Sequence, residues 1–145
     1  MATLEENNRE VVRRFVEEGW NEADFEVVEK LVAADGVTHD PTLGDLPNGP
    51  EGAKRAIQLY HDAFPDARLE IEDVVAEGDE VAVRWTGTGT HEGELMGVEP
   101  TGNEVEVSGI EIDRIEDGKI AETWVVYDAL GMLRQLGAVP EQPEM

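Results

Sequence analysis

A chain of 145 residues has the length of one ordinary domain, and the absence of cysteine excludes disulfides, thiolate metal sites and cysteine nucleophiles. Its 34 acids against 11 bases give a formal net charge of −23, a surface that repels nucleic acid and anionic lipid, so neither is an expected partner. No apolar run approaches the roughly 18 residues that suggest a membrane span.

The acidic start, "MATLEENN", lacks the basic and apolar regions of a secretory signal. Together with the missing cysteines it leads us to expect a cytoplasmic protein. So many acids beside only three lysines, Lys30, Lys54 and Lys119, suit a salt-loaded, halophilic setting. At about 1 M salt the Debye length falls to about 3 Å, which screens the self-repulsion of such a surface.

Thr3 and Glu6 form a T-x-x-E capping box. Behind it Leu4, Val11, Val12, Phe15, Val16 and Trp20 recur at helical spacing and predict a first helix of about 15 residues. Asn21 to Asp24 breaks the pattern, and Asp24 is placed to cap a second helix striped by Phe25, Val27, Val28, Leu31 and Val32. "GVTHDP" reads as a short extended piece and "TLGDLPNG" as a loop. Pro50 suits the first position of a third helix, whose buried face is Ala53, Ala56, Ile57, Tyr60 and Phe64 and which Pro65 stops.

Beyond Pro65 the period changes to that of strands. Leu69, Ile71 and Val75 alternate, "AEGDE" turns the chain, and Val81, Val83 and Trp85 share a parity that reaches His91. The loop "EGELMGVEPTGNE" leads to Val105 and Val107, after which Ile110 and Ile112 fall out of phase. That slip predicts a β-bulge at Ser108–Gly109. Asp117–Gly118 is a strong hairpin turn, the last strand runs from Lys119 to Tyr127, and a short helix ends at Gly137 before a frayed tail over 138–145. Three helices followed by an antiparallel meander predict a single α+β domain over 1–145, a cone-shaped curved sheet with three N-terminal helices on its concave face and a short C-terminal helix.

The motifs "WTGTGTHEGELMGVEPTG" (85–102), "VSGIEIDRIEDGKIAETW" (107–124) and "DALGMLRQLG" (128–137) resemble those of the SnoaL-like polyketide cyclases, also called ester cyclases, of the ketosteroid-isomerase-like superfamily. "VRRFVEEGWNEADFEVVEKLVAADGVTHDP" and "GPEGAKRAI" agree more loosely, so the resemblance spans roughly residues 5 to 137. It implies an intramolecular aldol condensation of a polyketide ester without cofactor or metal. The family's acid/base aspartate matches Asp128, and its cavity histidines match His39 and His91. One departure is Asp113, where many relatives carry an aromatic residue.

The residues by themselves leave two readings of Asp128: the N-cap of a short helix, or a carboxylate in an apolar pocket. Glu122, Trp124, Val126 and Asp128 share one strand parity, which together with the resemblance turns the expectation to the pocket. His91 is then either a carbonyl-polarising donor or a hydrogen-bonded strand terminus, and His39 either an assisting group or a loop lock. Glu122 is either a partner carboxylate or half of a surface pair. Trp20, Trp85 and Trp124, with Tyr60, Tyr127 and Phe64, either line the cavity or fill the core. No metal-ligand spacing is present. The expected ligand is a small apolar carbonyl compound, and a homodimer covering the outer face of the sheet is expected. The alternatives are a non-catalytic binder of the same fold, or an isomerase or hydrolase using the same pocket.

Overall fold

A computed structural model of the chain describes residues 1–139. Helix α1 (Leu4–Arg14) opens where Thr3 Oγ1 accepts the Glu6 N–H. It runs on into a single wide π-helical stretch, Phe15–Trp20, so that Asn21 donates to Val16 rather than to residue 17. Helix α2 (Phe25–Leu31) is capped by Asp24, which accepts from both Glu26 and Val27, and passes directly into strand β1 (Val32–His39). Helix α3 (Pro50–Ala63) has its proline in the first turn, where a missing N–H costs nothing. Strands β2 (Arg68–Glu77), β3 (Glu80–Thr90), β4 (Glu104–Glu116) and β5 (Lys119–Tyr127) form the meander, and α4 (Ala129–Gln135) closes the described chain. The expected tail falls largely on residues 140–145, which lie outside the described residues.

The five strands make one curved, unclosed sheet in the order β1-β5-β4-β3-β2. The meander is antiparallel throughout, but β1 joins β5 in parallel, pairing Thr38 with Thr123 and His39 with Trp124. The sheet is therefore mixed rather than wholly antiparallel as the sequence suggests. Nothing in the short segment "GVTHDP" signals a partner more than eighty residues away.

Two bulges sit elsewhere than expected. Strands β3 and β4 pair without interruption from Thr90–Glu104 to Glu80–Arg114, so Ser108–Gly109 is not a bulge. Instead Glu72 is the extra residue of β2, between the pairs Ile71–Trp85 and Asp73–Arg84. Ala121 is the extra residue of β5, between Arg114–Glu122 and Ile115–Ile120. Ile110 and Ile112 fall out of phase because they lie on the outer face, 51% and 38% exposed, while Glu111 and Asp113 point inward and are buried. Acids inside and isoleucines outside mimic a register slip.

The helices pack on the inner face over one continuous core, in which Val12, Val16, Val28, Ile57, Val81 and Val83 lose essentially all contact with water. Each such burial contributes about 1.5–3 kcal/mol against conformational entropy. A second cluster, with Phe64, Leu95, Val105, Met132 and Leu136, lies under α4 and the 92–103 loop. Of the glycines in "TGTGT", Gly89 relieves crowding where α3 ends on the sheet. A Cβ on Gly89 would stand 2.9 Å from the Phe64 Cβ.

Candidate active site

Between the two clusters the helices and the sheet enclose a largely apolar cavity of about 110 Å³. Phe15 and Trp20 of the π-helical stretch, Tyr60 and Phe64 at the end of α3, and Trp85 of β3 supply its aromatic walls. Strands β4 and β5 contribute Val105, Val107, Glu111, Thr123, Val125 and Tyr127. A wall of this kind excludes water and strengthens every polar contact made inside it.

One polar cluster stands at the end of β1. Asp40 is buried, and its Oδ2 accepts the Tyr60 hydroxyl at 2.7 Å. Its Oδ1 accepts the Thr42 N–H at 3.0 Å and the Thr42 hydroxyl at 2.8 Å. The Tyr127 hydroxyl lies 3.1 Å from Thr42 Oγ1 and 3.2 Å from the Tyr60 hydroxyl. Three hydroxyl protons are present, and Asp40 draws two of them, from Tyr60 and Thr42. Tyr127 holds the one left over. Burial pushes both phenols above their ordinary value, Tyr60 the more, with Tyr127 and Asp40 beside it adding to the effect. Both therefore stay neutral donors at physiological pH.

A second polar feature lies deeper. Glu111 and Asp113 are two residues apart on the inner face of β4 and both are buried, with the Thr123 hydroxyl donating to Asp113 Oδ1 at 2.5 Å. Removal from water raises both above the ordinary carboxylate range, and the Thr123 hydrogen bond works against that rise at Asp113. Val83 and Val81 oppose the two acids on β3.

The residues singled out from sequence divide between the two faces of the sheet. Trp20, Tyr60 and Trp85 line the cavity. Asp128 does not; it is exposed, and its Oδ1 accepts the Gly131 N–H at 2.9 Å as the N-cap of α4. The parity shared by Glu122, Trp124, Val126 and Asp128 is real but belongs to the outer face, because Thr123, Val125 and Tyr127 are the inward residues of β5. The expectation that Asp128, Trp124 and Glu122 face a dry chamber is thereby corrected. His39 joins them outside: its Nε2 lies 2.7 Å from Glu122 Oε2, and its ring stacks on Trp124 at 5.6 Å. The His39 contact, with Arg114 behind it, holds the Glu122 carboxyl below its ordinary value.

His91 is wholly buried but is not part of the cavity wall. Its Nδ1 accepts the Thr101 N–H at 3.1 Å, which fixes the 92–103 loop, and the ring packs on Phe64. Among the described residues no three His, Asp or Glu side chains converge to hold a metal ion.

Thr42, Glu111 and Thr123 are the polar groups that sequence reasoning passed over, and Asp40 and Tyr127 were given no chemical role by it. Their signal was available in one place only. Tyr127 and Thr123 share the inward parity of β5, readable once the face of that strand is known.

Comparison with known proteins fits this geometry. Residues 10–136 match the family model of the SnoaL-like polyketide cyclases. The chain is 31% identical over 141 residues to the aklanonic acid methyl ester cyclase DnrD of Streptomyces peucetius, covering 93% of this chain and 94% of that one. Among solved structures, IdmH of Streptomyces antibioticus, described as a putative polyketide cyclase, is 36% identical with a TM-score of 0.79 and 90% and 98% coverage of the two chains. A SnoaL-like protein of Jannaschia sp. CCS1 superimposes with a TM-score of 0.84 at 27% identity, covering 97% of this chain and 98% of its own. With a curved α+β sheet, an apolar chamber and a family match over nearly its whole length, the chain belongs to the SnoaL-like polyketide cyclase family.

Proposed function

We propose that the protein closes a ring in a small polyketide-derived carbonyl compound by enolate chemistry inside the cavity. The observation that carries this reading is the proton count at Asp40. With the Tyr60 and Thr42 protons drawn to the carboxylate, the Tyr127 proton is held only by neutral hydroxyl oxygens and can be redirected from them to a ligand oxygen. A fixed donor in an apolar chamber is what a developing enolate oxygen needs. An α C–H bond breaks, its electron pair moves toward the carbonyl oxygen that Tyr127 holds, and the enolate carbon then attacks a second carbonyl of the same molecule. The second carbonyl oxygen takes up a proton, so the product is an isomer of the substrate. Trp20, Trp85 and Tyr60 serve as walls against which the substrate packs. The outer cluster of His39, Glu122 and Trp124 and the capping carboxylate of Asp128 stand away from these steps.

Cyclisation of aklanonic acid methyl ester, the compound in the names of the DnrD and DauD relatives, gives the direct test. Ring closure followed by liquid chromatography is expected with the native chain and to fall about 100-fold in Tyr127→Phe, the usual scale for loss of one oxyanion donor. A variant as active as the native chain would overturn the role given to Tyr127. A native chain inert on this ester and on smaller polyketide esters would overturn the reading.

A further inference from the structure

Two acids in the core of a protein call for a reason. Removing one from water costs several kcal/mol unless a proton or a partner compensates. Neither acts as a salt-bridge partner: Val81 and Val83 stand opposite on β3, Thr123 and Val125 on β5, and the helical residues of the same core, Val12, Val16 and Val28, are apolar. The other titratable groups of the cavity are Asp40, Tyr60, Tyr127 and Arg68.

Glu111 Oε2 and Asp113 Oδ2 are buried and meet no donor among the described residues. The two side chains lie two residues apart on one face of β4, which makes their carboxyl groups neighbours in the core. A single proton held between them suits that placement, and two full negative charges would not. Asp113 is wholly buried and is fixed by Thr123, whereas Glu111 lines the cavity. A separate feature of the wall points to a ligand. Trp85 is buried, lines the same cavity, and its Nε1–H has no acceptor among the described residues. A donor without an acceptor in a cavity that Glu111 also lines suits a carbonyl compound, which offers both an oxygen to accept and an acidic α C–H.

We propose that Glu111 and Asp113 form a proton-sharing pair that serves as the acid/base of the cavity, with Glu111 touching the substrate and Asp113 positioned behind it as proton partner. The assignment rests on the enolate reading above. The pair begins with one proton. Glu111 takes the α proton of the ketone while passing its own proton to Asp113, and the C–H electron pair stays on the substrate as the enolate. When the carbon–carbon bond has formed, the pair returns a proton to the new alkoxide oxygen and is restored to its starting state. No proton is gained or lost over the cycle, and no co-reactant enters.

The test uses 2-indanone, a small apolar ketone, and follows exchange of its α protons with D2O by NMR. This needs enolisation alone, so it is independent of whether any polyketide ester is cyclised. The native chain is expected to accelerate exchange over buffer, with a rate rising as pH increases through a midpoint well above the ordinary carboxylate range. Glu111→Gln is expected to lose at least tenfold. Asp113→Asn is expected to keep exchange but move the midpoint upward, because the active form is the singly protonated pair and the variant lacks the acid whose proton stabilises its negative charge; a merely structural role would leave the midpoint where it was. Circular dichroism establishes that both near-isosteric variants are folded. Exchange no faster than buffer, undiminished exchange in folded Glu111→Gln, or an unmoved midpoint in Asp113→Asn each overturns the pair. Ring closure of the methyl ester by a chain whose Glu111→Gln variant is fully active would sink the pair and leave the enolate reading standing.

Discussion

Replacing Gly109 by alanine probes how the cavity wall is built. Gly109 pairs directly with Trp85 across β3 and β4, and the indole lies flat over it. A methyl group there would fall 2.2, 2.5 and 2.6 Å from three atoms of the six-membered ring. Real Cβ atoms do not approach so closely, and a rigid buried ring cannot yield as the end of a lysine could. The indole must tilt into the cavity, giving up contacts on the face it leaves. Overpacking of this kind costs about 1–3 kcal/mol. For a chain of this size that is a fall in melting temperature of about 3–12 °C, taking roughly 3–4 °C per kcal/mol. Thermal melts at about 1 M KCl, where surface repulsion is screened, measure it, with tryptophan fluorescence reporting the ring. The double variant Gly109→Ala/Trp85→Leu should recover part of the loss, because the clash is then removed. A Gly109→Ala variant within about 0.5 kcal/mol of the native chain would refute the reasoning, since it would mean the wall is soft.

Folded-state burial raises Glu111 above its ordinary value of 4.5, so its proton stays on in the native chain while the unfolded carboxyl ionises. Stability from this group is full below pH 4.5 and is lost as pH rises from there through the raised value; the melting temperature of Glu111→Gln, relative to native, should therefore climb over that range, and a constant difference would contradict it. Asp128→Ala should cost about 1 kcal/mol by loss of the α4 cap, while Asp128→Asn, an equally good cap, should melt near the native temperature. Both should exchange 2-indanone as the native chain does; loss of exchange in Asp128→Asn would return the acid/base role to that residue. The melting temperature of the native chain should rise with KCl concentration, as repulsion among a net −23 charges is screened, and a salt-independent melt would remove the argument for a halophilic setting.

The helix ends were legible because their signals are local. Thr3, Asp24, Pro50 and the Asp117–Gly118 turn each act within a few residues, and Asp117 and Gly118 both take the positive φ that an Asp-Gly turn needs. The inward row from Val81 to His91 was legible because every second residue is apolar or small and its neighbours are polar. Strand β5 was not. In "ETWVVY" apolar residues occupy both parities, so alternation defines two faces without saying which is inside. The bulge at Ala121 then resets the phase, and Ile120 and Ala121 are both buried. That single ambiguity moved Asp128, Trp124 and Glu122 to the wrong side and left Tyr127 undecided between wall and core. Strand β4 misled in the opposite way, because buried acids are rare enough that isoleucines facing water read as a change of register.

Strand β2 ends the sheet, and an uncovered row of backbone amides is a template on which another extended chain can dock. This protein blunts that invitation three times. The side-chain amide of Asn21 clasps the Leu69 N–H and C=O at 2.7 and 2.9 Å, standing in for a sixth strand at one point. The extra residue at Glu72 breaks the straight run beyond it. Glu70, Glu72 and Glu77 then add like charge along the strand. Salt that relieves repulsion across the whole molecule also weakens this last guard, which leaves the clasp and the kink as the protections against fibrous stacking that ions cannot dissolve.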